Sequence, residues 1–259
     1  KKKYAAPRRT EILYDVEEED VVIEEEIPDV PVNLFLSREG YLKKITQQSL
    51  RMSSEQKYKE GDGPSQSWEA SSRDELLVFT NRQQCYKTRL SDFDATKASA
   101  LGDYLPTKLG MDEGETVVWA CIPGDYSAHV LFCFENGKVA RVPLSAYQTQ
   151  SNRRRLTGAY SDKSPLVACL LLTQEREYVL ISTEGRAVIF NSAALAPKTT
   201  RSTQGVGVMT LKPKWHVKEA KALEDTGIVN KSRYRSRSLP VVGALLKPED
   251  KGEEQMALL

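Results

Sequence analysis

One pattern constrains this chain more than any other: a short hairpin frame recurs four times. Three apolar residues lead through a few turn residues into a second strand, in Leu34-Phe35-Leu36 to Gly40, Leu77-Val78-Phe79 to Gln83, Leu131-Phe132-Cys133 to Gly137, and Val179-Leu180-Ile181 to Gly185. A tight reversal needs a residue at positive φ, which glycine adopts without penalty, so each frame reads as a β-hairpin. Gln83 stands where the other three copies carry glycine, and its turn is expected to be strained or differently shaped. The turn positions lie 43, 54 and 48 residues apart. A repeat near that period, with about four strands per unit, is the signature of propeller-like β architecture. No comparable stretch sustains the 3.6-residue period of a helical solenoid. The expected fold class is all-β.

Four residues past each turn position stand Lys44, Lys87, Arg141 and Ile189. Equivalent positions of a radial repeat face equivalent directions, so three of the four units are expected to present a cation on a common surface. The plainer alternative is a solvated strand face. The connectors between hairpins (residues 56–63, 97–107, 151–161 and 198–214) are polar and basic. The third carries Arg153, Arg154 and Arg155, and the fourth carries Lys198, Arg201, Lys212 and Lys214. Flexible cations beside glycine-bearing backbone suit phosphate groups.

Composition matters here through its unevenness. The net charge of +1 conceals an arm, residues 10–37, with ten acids and no lysine or arginine. Outside it, 37 bases face 26 acids, a surplus of 11 that suits a polyanionic partner. Cys85, Cys121, Cys133 and Cys169 stand singly in apolar or strand-like runs, with no C-x-x-C pair, and His129 and His216 are far apart. These read as core residues rather than as a disulfide framework or a metal site. There is no P-loop and no Ser/His/Asp set, so the chain is expected to be non-catalytic and to need no cofactor. No apolar run approaches the roughly 20 residues that span a bilayer, and no signal-peptide pattern opens the chain, so the reading is cytosolic with no membrane partner.

The opening run K-Y-A-A-P-R-R-T-E-I (residues 3–12) resembles the K-Y-x-D-x-R-R-T-E-I run of the A subunits of DNA gyrase and topoisomerase IV. Tyr4, Arg8, Arg9, Thr10, Glu11 and Ile12 match, and Ala6 replaces the usual aspartate. In that family the run marks the exit from the DNA-cleavage part. The hairpins L-F-L-S-R-E-G-Y-L-K-K (34–44) and C-F-E-N-G-K-V-A-R-V-P-L (133–144) are similar to the family's blade repeats. The resemblance implies a β-pinwheel, a propeller-like ring of antiparallel blades that exchange strands, with DNA bent around a basic outer rim. Four to five blades are expected rather than the six of full gyrases. The family's Q-R-R-G-G-K-G box corresponds here to Gln56-Lys57-Tyr58-Lys59-Glu60-Gly61-Asp62-Gly63, which adds two acids; residues 201–207 resemble a later remnant.

The resemblance implies three regions: exit motif plus acidic linker and outer strand (1–32), pinwheel (33–245) and C-terminal tail (246–259). It implies a non-catalytic domain that bends or wraps duplex DNA and presents it to the cleavage core of an ATP-dependent type II topoisomerase in the nucleoid. The partners would be double-stranded DNA, the dimeric cleavage domain and the ATPase B subunit. Candidate DNA contacts are Lys43, Lys44, Lys57, Lys59, Lys87, Arg141, Arg153, Arg154, Arg155, Lys198, Arg201, Lys212 and Lys214. The weaker box and fewer blades favour bending over strong chiral wrapping. Two alternatives stand beside this: a propeller that holds peptides, and an acidic arm that folds over the basic rim and competes with DNA. Residues 217–223 read as a last strand or a helical turn, and 231–237 as a basic segment that adds DNA contacts or stays mobile.

Overall fold

The first strand of each hairpin is apolar at consecutive positions because both of its faces are covered. In the computed structural model, which describes residues 28–149 and 154–251, alternate residues point to different neighbours. The chain begins with the hairpin β1 (Pro31–Ser37) and β2 (Tyr41–Thr46), followed by helix α1 (Gln47–Met52) and by β3 (Pro64–Ser71), which pairs with β1. It then builds the second hairpin, β4 (Glu75–Thr80) and β5 (Gln84–Arg89), and returns to the first sheet to lay β6 (Asp103–Tyr104) on β2. After helix α2 (Leu105–Lys108) it comes back as β7 (Val117–Cys121) beside β4.

The same step repeats twice. The third hairpin, β8 (His129–Phe134) and β9 (Lys138–Pro143), is followed by β10 (Arg155–Thr157) on β5 and then β11 (Leu166–Leu172) on β8. The fourth, β12 (Glu177–Ser182) and β13 (Arg186–Asn191), is followed by β14 (Val206–Gly207) on β9 and β15 (Val217–Ala222) on β12. Where a fifth hairpin would stand there is instead the short helix α3 (Lys231–Tyr234), and β16 (Ala244–Leu245) pairs with β13. Among the described residues the result is four antiparallel four-stranded blades, each of the first three completed by chain that has already visited the next. Residues 217–222 are thus a strand.

Three cores join the blades. Leu34, Leu36 and Leu42 meet Leu76, Val78 and Tyr86 between blades 1 and 2. Leu77, Phe79 and Cys85 meet Val130, Phe132 and Val142 between blades 2 and 3. Leu131, Cys133 and Val139 meet Tyr178, Leu180 and Phe190 between blades 3 and 4. The far face of blade 4 (Val179, Ile181 and Ile189) packs under Leu223, Ile228, Tyr234 and Leu246 from the C-terminal segment. None of these four clusters joins blade 4 to blade 1. All four cysteines are buried and unpaired, while His129 is half-buried and His216 exposed. Pro248–Asp250, expected to lie within a C-terminal tail, forms a 3-10 turn with Asp250 buried, because its carboxylate is a hydrogen-bond acceptor for the segment covering blade 4. The exit motif and the acidic arm through residue 27 lie outside the described residues, as do residues 252–259.

The four turns obey one rule. Gly40, Gly137 and Gly185 sit at φ +92°, +78° and +80°, and Gln83 is held at +53°. The second turn therefore keeps the left-handed backbone of its counterparts and bears the strain of a side chain there.

Candidate nucleic-acid interface

The third strands of blades 1 and 2, β3 and β7, approach one another, as do β11 and β15 of blades 3 and 4. The Gln66 side chain on β3 exchanges two hydrogen bonds with the backbone of Ala120 on β7, at 3.2 and 3.0 Å. The blades therefore converge on that edge, and the opposite edge, along the second strand of each hairpin, is the rim. The returning connectors lie on it in a repeated register. The amides of Thr96, Lys198 and Ser236 donate to the carbonyls of Lys44, Arg141 and Ile189 at 2.7, 2.8 and 2.9 Å. On blade 2 the amide of Lys87 donates to the Arg154 carbonyl at 2.7 Å. Close backbone approach in this register demands glycine: a Cβ on Gly102, Gly205 or Gly243 would stand 2.3, 2.0 or 2.7 Å from the carbonyl oxygen of Leu42, Val139 or Ala187.

The cations four residues past the turns do not share the solvent surface expected of them. Each side chain turns toward the next blade. Lys44 is buried and donates to the Leu90 carbonyl, in the 3-10 turn that follows β5, at 2.8 Å; burial lowers its pKa. Arg141 pairs with Glu175 at 2.8 Å and donates to the carbonyls of Ser192 and Leu195, at 3.2 and 3.5 Å, in the turn after β13. Lys87 pairs with Glu75 at 3.0 Å, its ammonium 5.9 Å from the Tyr126 ring centre. Blade 4 has no successor, and Ile189 at this position packs under Tyr234 and Leu246 instead. The physical reason is a period-2 strand sandwiched between blades, whose face is covered however polar the residue on it.

The box-like stretch is half framework and half surface. Lys43 is 2% exposed; its ammonium donates to the carbonyls of Lys57 (2.5 Å) and Ala98 (3.0 Å) and to Gln56 Oε1 (3.3 Å), and lies 5.1 Å from the Tyr58 ring centre. Burial lowers its pKa. Asp62 Oδ1 accepts from the amides of Glu39 (3.0 Å) and Gly63 (2.7 Å), so one of the added acids clamps the first turn. Burial opposes its charge, yet the Ser37 hydroxyl and these amides hold its pKa below the usual carboxylate value. Lys59 pairs with Glu39 at 2.9 Å, while Lys57, Glu60 and Gly61 are exposed. In the later remnant, Gln204 Oε1 accepts from the Lys138 ammonium at 3.3 Å, as Gln56 does from Lys43.

The remaining candidates divide in the same way. Arg155 hydrogen-bonds Gln84 and chelates Asp112, which raises its pKa. Arg201 donates to the carbonyls of Ala146 (3.2 Å) and Thr157 (3.5 Å), tying blade 3 to β10. Lys212 is 3.8 Å from Glu184 in the fourth turn. Lys57, Arg154, Lys198 and Lys214 are exposed, and none makes an ion pair among the described residues. Arg153 lies outside the described residues. The register adds Lys97, exposed beside Thr96 on blade 1, which single-residue spacing did not single out.

Fold and rim define an all-β, strand-exchanging propeller whose connectors carry cations along the outer edge. The family model described as "DNA gyrase C-terminal domain, beta-propeller" matches residues 74–102, 129–153 and 176–216. The three segments begin at or beside the second, third and fourth hairpins and run on into the connectors that follow. The chain is 30% identical over 161 residues to the A subunit of DNA topoisomerase 4 from Bacillus subtilis, and 22% identical over 217 residues to its counterpart from Staphylococcus aureus. These matches take in 60% and 82% of this chain but only 20% and 27% of those proteins. Among solved structures, the C-terminal domain of DNA topoisomerase IV superposes with a TM-score of 0.67 at 22% identity, covering 78% of this chain and 64% of that one. The E. coli ParC C-terminal domain superposes at 0.63 and 13% identity, covering 85% and 95%. In sequence and in fold the chain is thus similar to the C-terminal β-propeller domains of DNA gyrase and DNA topoisomerase IV.

Proposed function

We propose that this chain is a DNA-bending accessory domain of a type II topoisomerase A subunit, which lays duplex DNA along its rim and presents it to the cleavage core. The observation that carries this reading is the recurrence of exposed cations on successive edges: Lys57 and Lys97 on blade 1, Arg154 on blade 2 and Lys198 on blade 3. Bending a 20–30 base-pair site costs on the order of 1–6 kcal/mol, so contacts spread over several rigid blades suit it better than one basic loop. The cations that face inward, Lys43, Lys44, Lys87, Arg141 and Arg201, serve by fixing the blades and connectors that carry the outer ones. In the longer protein the partners would be the dimeric cleavage part and an ATP-hydrolysing B subunit. The paired Lys59 and exposed Glu60 dilute positive charge at the box position, which favours bending over strong chiral coiling.

The test is binding of a mixed-sequence duplex across about 50–200 mM salt, where each lost phosphate contact lowers the slope of log affinity against log salt by about 0.9. Replacing Lys57, Arg154 and Lys198 together by glutamine should lower that slope by about two to three without changing sequence preference. Affinity that ignores salt, or a triple variant with the parental slope, defeats the proposal. Plasmid relaxation and ligation with the domain bound then separates bending, which leaves linking number unchanged, from chiral wrapping.

A further inference from the structure

Residues 223–250 cover the exposed end of the propeller, and Asp250 fastens them. Its Oδ1 accepts from the amides of Val229 (2.8 Å) and Asn230 (2.9 Å), and its Oδ2 from the Tyr234 hydroxyl (2.6 Å) and Asn230 Nδ2 (3.2 Å). Burial alone would raise the carboxyl's pKa; these donors instead hold it at about 2. A second tie is the pair of hydrogen bonds from Arg235 to the Glu177 carboxylate, at 2.5 and 2.6 Å.

The segment also keeps the rim register. Ser236 donates to the Ile189 carbonyl as Lys198 does to that of Arg141, and Gly243 presses on the Ala187 carbonyl as Gly205 does on that of Val139. It is the blade-4 counterpart of the basic connectors. Glu177, Glu224 and Glu249 are ion-paired with Arg235, Arg176 and Lys247. Lys231, Arg233 and Arg237 are exposed with no ion pair among the described residues, and the Lys231 charge acts on the carboxylates of Glu177 and Glu224.

We infer that this cap is a further phosphate-contacting element, in which Lys231, Arg233 and Arg237 extend the duplex path past blade 3 and Asp250 is the positioning residue. The inference rests on the DNA reading above. Its test uses the 259-residue chain. The combined substitution Lys231→Gln, Arg233→Gln and Arg237→Gln should lower the salt slope by about two to three and shorten the protected DNA at one end. Asp250→Asn should lower the slope similarly and speed amide exchange at Val229 and Asn230, leaving exchange in β8 unchanged. A triple variant with parental slope and footprint overturns the contact. Asp250→Asn that loosens those two amides yet leaves the slope intact overturns the positioning role. A parental chain that binds no duplex at any salt overturns the DNA reading itself, a result separable from the other two because no variant is needed to see it.

Discussion

Gln83 shows how a single departure from a repeat is tolerated and at what cost. Its amide side chain donates to the Asn81 carbonyl at 3.2 Å and hydrogen-bonds Tyr160, a modest return for a backbone held at φ +53°. Gln83→Gly should therefore stabilise the domain by about 1 kcal/mol, read as a higher denaturant midpoint at unchanged slope. The strain was legible in the sequence, because three glycines and one glutamine at the same repeat position leave little else to conclude. The destinations of Lys43, Lys44 and Arg141 were not. Alternation along a strand says which residues share a face, but whether that face meets water or a neighbouring blade is settled by packing between segments some 40 to 50 residues apart. Buried or, for Arg141, half-buried, these cations find carbonyls and carboxylates because an unpaired charge there would be too costly.

At the scale of elements, the connectors rather than the hairpins carry the distinctive geometry. Hairpins announce themselves through apolar triplets and turn glycines. Of the strands that complete the rim edges, β10 has three residues, while β6, β14 and β16 are only two residues long, too short to leave a periodic signal. What holds them is backbone proximity at a glycine. Gly205→Ala would bring a Cβ to 2.0 Å from the Val139 oxygen and 2.4 Å from Ala140 Cα, so the connector must lift from blade 3, at a cost of about 2–4 kcal/mol. Gly185→Ala meets no atom within 4 Å and differs only in its positive φ of +80°, so it should cost about 1 kcal/mol. Thermal unfolding of the two variants side by side checks the contrast; equal losses would mean that turn strain, not close approach, dominates both.

At the scale of the molecule, each blade is stabilised mainly by its neighbours. Phe79 illustrates this: fully buried, it lies 5.4 Å from Trp119, 5.7 Å from Phe132 and 5.1 Å from Tyr147, ring centre to ring centre, and so serves blades 2 and 3 at once. Phe79→Ala should cost about 3–5 kcal/mol, and amide exchange should accelerate in β5 and β9 together. Acceleration confined to β5 would show that the blades open independently.

The chain's own order of residues determined the all-β class, the four hairpins and their turn chemistry, and the presence of basic connectors, since all of these are local patterns of polarity and backbone preference. Tertiary structure alone decided which strands complete which blade, that the described residues form four blades under a C-terminal cap, and which cations reach the rim. Those outcomes depend on which distant segments bury one another's faces, and a residue's type does not record what will lie against it.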